Sequence, residues 1–120
     1  MRISQTDFEA LVAKALDELP GEFAEILENV AVVVEEEPAG EVLADLGLDP
    51  ERDELFGLYQ GVPQAQRGSY YDALPDRVAI FRCPILRACR SRRQVVREVR
   101  DTLIHELGHH LGLEEEEMPF

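Results

Sequence analysis

Two histidines and a glutamate are the residues of this chain best suited to do chemistry. They are His105, Glu106 and His109, in the stretch His105-Glu106-Leu107-Gly108-His109. The pattern is H-E-x-x-H, with the histidines four residues apart. On a helix, residues four apart share a face. Both imidazoles can therefore reach one metal ion, while the glutamate projects about 100° further round. Two neutral nitrogen donors suit zinc, and a carboxylate beside them can take a proton from a water that the zinc acidifies. These residue types at this spacing are the working end of a metal-dependent hydrolase.

The element that must hold them is a long helix. Ser91, with Gln94 three residues on, forms a capping box. Val96, Val99, Leu103 and Leu107 recur as one apolar stripe, and Gly112 is placed to end the helix. With His105 at zero on a helical wheel, His109 falls at about 40°, Glu98 at about 20°, Thr102 at about 60° and the apolar stripe at about 120–200°. The chemically capable side chains share one face and the core residues occupy another. His110 falls near about 140°, towards the stripe. It reads as a partly buried imidazole bonded to a backbone group, not as a ligand. Glu98 and Thr102 read as surface or helix-wall residues, with a role in orienting the ligands as the alternative.

A catalytic zinc site wants three protein ligands and one open position. Gly112 can bend the chain back, and Glu114 to Glu117 follow at once. Extending the pattern to H-E-x-x-H-x-x-G-x-x-Z brings Glu115 to the last position, with Glu114 and Glu116 as competitors. Tyr70 and Tyr71 lie in a loop from about Gly61 to Asp76. They read as packing residues or, alternatively, as donors to an oxyanion.

The rest of the chain supplies the scaffold. Ser4 followed by Asp7 opens a helix carrying Phe8, Leu11, Val12, Ala15, Leu16 and Leu19, which Pro20-Gly21 ends. A short helix is predicted over Glu22 to Glu28 and a buried strand over Val30 to Val34. Ala44 to Leu48 reads as a turn of helix. Leu55 to Tyr59 reads as a strand, with Gly57 marking a bulge or close approach. Arg77 to Arg82 reads as a third strand, and Pro84 opens a helix covering Ile85 to Cys89.

The 120 residues fit one domain, 1–120. The net charge is −13, which argues against nucleic acid and anionic membrane as partners. No apolar run is long enough to span a bilayer, and Met1-Arg2-Ile3-Ser4 lacks the apolar core of a signal peptide, so a cytoplasmic location is expected. Seven arginines lie between Arg82 and Arg100, with Glu98 the only acid among them. They read as a solvated face paired with acids elsewhere; the alternative is a cationic rim drawing an acidic substrate. Cys83 and Cys89, six apart, are badly placed for a disulfide within a helix and read as buried free thiols.

The segment from Val95 to Glu117 resembles the zincin-like metallopeptidase family of short bacterial proteins, the minimal zincins, whose signature looks like H-E-x-x-H-x-x-G-x-x-D. His105, Glu106, His109 and Gly112 match it. Glu115 stands where aspartate is usual. The stretches Leu55 to Pro63 and Ile80-Phe81-Arg82 are also similar to that family. The resemblance implies an α+β domain in which a small mixed sheet packs on two main helices, with the metal helix near the C-terminus. It implies zinc, or another divalent transition metal, and Glu106 as general base. The function expected is a zinc-dependent peptidase acting on a peptide or protein substrate. The alternative is a metal-binding module that docks a peptide without cutting it.

Overall fold

The computed structural model describes residues 1–61 and 76–110. Among them are five helices and three strands: α1 Gln5–Asp17, α2 Gly21–Leu27, β1 Val30–Glu35, α3 Gly40–Asp45, β2 Gly57–Gln60, β3 Asp76–Phe81, α4 Arg82–Ala88 and α5 Arg92–His110. The fold is α+β, as the resemblance implied. The strands form one mixed sheet in the order β1-β3-β2. β1 runs parallel to β3, pairing Val32 with Val78, and β2 runs antiparallel to β3, pairing Tyr59 with Val78.

The two main helices are α1 and α5, which pack on each other. α1 starts where Ser4 Oγ accepts the Asp7 N–H at 3.1 Å, and it buries Phe8, Val12 and Ala15. α5 buries Val95, Val96, Val99, Leu103, Ile104 and Leu107. Its apolar face meets Phe8, Phe23, Val78, Ile80 and Ile85 in one core. Each fully buried leucine or isoleucine contributes about 1.5–3 kcal/mol, so the stripe that fixes the rotation of α5 is also what stabilises the molecule.

Several boundaries differ from the sequence reading. α3 ends before Leu48 because Gly47, with φ of 73°, adopts a left-handed conformation and closes a Schellman turn. There Leu48 N–H donates to Leu43 O at 2.8 Å and Gly47 N–H to Ala44 O at 3.0 Å. α4 begins at Arg82, directly from β3, and Pro84 sits inside its first turn, where a missing N–H costs nothing. β2 lies two residues later than expected at its start. Cys89 is buried as expected, whereas Cys83 is only half-buried; both are free. No helix among the described residues is long and apolar enough to cross a membrane.

Candidate metal centre

α5 is positioned from its first turn. Ser91 Oγ accepts the Gln94 N–H at 3.1 Å, and Gln94 Oε1 accepts the Arg90 N–H at 2.6 Å. This is the predicted capping box with its return bond one residue further back. The C-terminal half of α5 lies against β2, and Gly57 sets how closely. A Cβ at Gly57 would stand 2.6 Å from Thr102 Cγ2 and 3.0 Å from Ala79 O. Thr102 is thus a helix-wall contact, and the close approach expected at Gly57 is real.

This approach brings the C-terminal half of α5 beside the strand. His105 Nδ1 stands 2.8 Å from Asp101 O. A carbonyl oxygen only accepts, so Nδ1 carries the proton and the lone pair lies on Nε2. Ligating histidines are oriented in this way. The ring centres of His105 and His109 are 6.2 Å apart. Two imidazoles on one tetrahedral zinc, at about 2.0–2.1 Å from each nitrogen, have ring centres about 5 Å apart, so the pair stands within about 1 Å of the spacing for a shared ion.

Glu106 is half-buried between the histidines and the strand. Its Oε1 accepts the Tyr59 N–H at 2.9 Å, and its Oε2 lies 3.9 Å from His109 Nδ1. The carboxylate therefore has one oxygen tied to the sheet and the other turned to His109.

His110 departs from the sequence reading. It is exposed and stacks on Tyr59, with ring centres 4.0 Å apart and planes 16° from parallel. The wheel places it towards the core stripe, but its ring lies against Tyr59 of β2 instead. Tyr59 itself, whose hydroxyl donates to Asp76 Oδ2 at 2.6 Å, was missed. The signal was present: in a strand, residues two apart share a face, so Tyr59 points the way of Gly57, towards α5.

Glu115, its competitors Glu114 and Glu116, Gly112, Tyr70 and Tyr71 lie outside the described residues. Among the described residues, no group of three or more histidines, cysteines and acids is placed to hold a metal. The histidine pair with its glutamate is what those residues bring together.

The arginine run is largely paired. Arg82 binds Glu36 at 2.7 Å, Arg87 binds Glu37 at 2.8 Å and Glu54 at 3.1 Å, and Arg92 and Arg100 face Asp7 and Glu18. The guanidinium beside each holds the carboxyls of Glu36 and Glu37 below the usual range. Burial, then the Glu36 carboxylate, pushes the Cys83 thiol up, and burial does the same to Cys89. Neither thiol has the electropositive setting of a reactive cysteine. Burial also raises the carboxyl of Glu98, with the nearby Asp101 charge adding to it.

The profile of the zincin-like metallopeptidase family matches residues 27–119, more than three quarters of the chain. No curated protein matches. Among solved structures, the chain is similar to a conserved hypothetical protein from T. thermophilus. Identity is 28%, the TM-score is 0.62, and the match covers 91% of this chain and 94% of that one.

Proposed function

Since the chain belongs to the zincin-like metallopeptidase family, we propose that it hydrolyses peptide bonds as a zinc-dependent peptidase. His105, His109 and Glu115 hold the metal, and Glu106 is the general base. The observation that carries this reading is the 2.8 Å contact of His105 Nδ1 with Asp101 O, which turns Nε2 into the donor one helical turn from His109. When bound, zinc supplies Lewis acidity, polarising the scissile carbonyl and acidifying water beside it. Glu106 takes the proton of the attacking water and returns it to the leaving amine. With Oε1 held by the strand, Oε2 is the oxygen that does this. A peptide or protein substrate is in keeping with the family the chain belongs to.

Glu106→Gln tests the assignment. The amide keeps the shape and the Tyr59 contact but cannot act as a base. Zinc uptake should match that of the parent, while cleavage of unstructured peptides falls by at least about a hundredfold. A variant cleaving as fast as the parent removes Glu106 from the role. If the zinc-loaded parent yields no new termini from any peptide, the protein docks peptides without cutting them.

A further inference from the structure

Tyr59 meets α5 and the sheet at three points. Its backbone N–H donates to Glu106 Oε1 at 2.9 Å, its ring stacks on His110 at 4.0 Å, and its hydroxyl donates to Asp76 Oδ2 at 2.6 Å. We propose that Tyr59 is the positioning residue of the base: its N–H fixes one oxygen of Glu106, and its ring holds the last turn of α5 at the height where that bond is made. The assignment rests on the peptidase reading above.

The strand geometry makes the N–H available. Phe81 N–H donates to Phe56 O at 2.9 Å, so residue 56 faces β3. In an antiparallel pair, residues alternate between facing their partner and facing outward. Leu58 and Gln60 therefore bond to β3, whereas Tyr59 turns its N–H outward. An outward N–H on an edge strand ordinarily faces solvent. Here Glu106 reaches it across the gap that Gly57 keeps narrow.

A free glutamate side chain samples many rotamers and loses that freedom when fixed. With Oε1 anchored, Oε2 is left 3.9 Å from His109 Nδ1. The base thus comes already aimed. The backbone bond alone is a single contact between strand and helix, and the ring adds a second one turn further on. The ring is itself held at its far end by Asp76, at the start of β3, and presses on His110 in the last turn of α5. Tyr59 spans the joint between sheet and helix at the residue where the base is anchored.

Amide hydrogen exchange reads the contact without metal or activity. In the parent the Tyr59 amide should exchange at least about tenfold more slowly than in Glu106→Ala, with Glu106→Gln staying near the parent. Leu58 and Gln60 should change little. A Tyr59 amide that exchanges equally fast in the parent and in Glu106→Ala overturns the proposal. The positioning role is read from kinetics. Tyr59→Ala should lower kcat by about ten- to a hundredfold with KM and zinc affinity near the parent's, and Tyr59→Phe, which keeps ring and N–H, should recover most of it. Tyr59→Ala with kcat intact and only stability, KM or zinc uptake altered makes Tyr59 a packing residue and overturns the assignment. A parent that cleaves no peptide overturns the peptidase reading and the base-positioning role together, while slow Tyr59 exchange would still establish the contact as structural.

Discussion

A backbone carbonyl decides which nitrogen of His105 can serve as a ligand. Asp101 O accepts a hydrogen bond from Nδ1–H at 2.8 Å, and Asp101 sits one turn before His105 because α5 is unbroken there. This residue-level logic was legible in the sequence for His105, Glu106 and His109, since ligand spacing is a property of one helix. It was not legible for Tyr59 or His110, because their contact joins two elements distant in sequence. Glu98, on the same face, shows what burial does to a carboxylate with a like charge nearby. Its folded pKa is raised, by burial first and then by Asp101. A carboxyl raised on folding binds more protons in the folded chain, so its contribution favours the fold at low pH and is lost as pH rises from its unfolded value, about 4.3, through the folded one. Glu98→Gln should therefore stabilise the protein at neutral pH, with the gain vanishing in acid. Thermal melts of both proteins across this pH range check it; a gain that persists in acid contradicts it.

Among the elements, α5 and β2 depend on each other through one glycine. Gly57→Ala puts a methyl 2.6 Å from Thr102 Cγ2 and 3.0 Å from a backbone oxygen. Overpacking of this kind costs about 1–3 kcal/mol, and denaturant titration should show it. Thr102→Ser removes the clashing methyl and should recover part of the loss, the backbone oxygen remaining; an undiminished stability for Gly57→Ala would mean that the helix does not approach so closely. The helices were read well where a side chain caps them, at Ser4 and Ser91, and where an apolar stripe repeats. α3 was read to end at Leu48, but the left-handed conformation of Gly47 stops it earlier. α4 was read too late because Pro84 was taken to open a helix that Arg82 already begins.

For the molecule as a whole, charge pattern and topology behaved differently. The arginine run was legible as a paired face, and the partners prove to be Glu36 and Glu37 just beyond β1, together with Glu54, Asp7 and Glu18. Such largely exposed pairs contribute little, so they balance local charge in a chain of net −13 more than they stabilise the fold. The strand order β1-β3-β2 was not legible, because pairing between distant strands leaves no periodic mark on either. It matters, since among the described residues it puts β2 at one side of the sheet, where it meets α5. The core, sheet and capped helix bring His105 and His109 together, and zinc titration of untagged, metal-free protein tests most directly the proposal that they share one ion. About one equivalent per chain should bind tightly, unchanged in His110→Ala and lost in His105→Ala and in His109→Ala. Uptake below about one-tenth of an equivalent by the parent, or full uptake by both histidine variants, would contradict the metal centre.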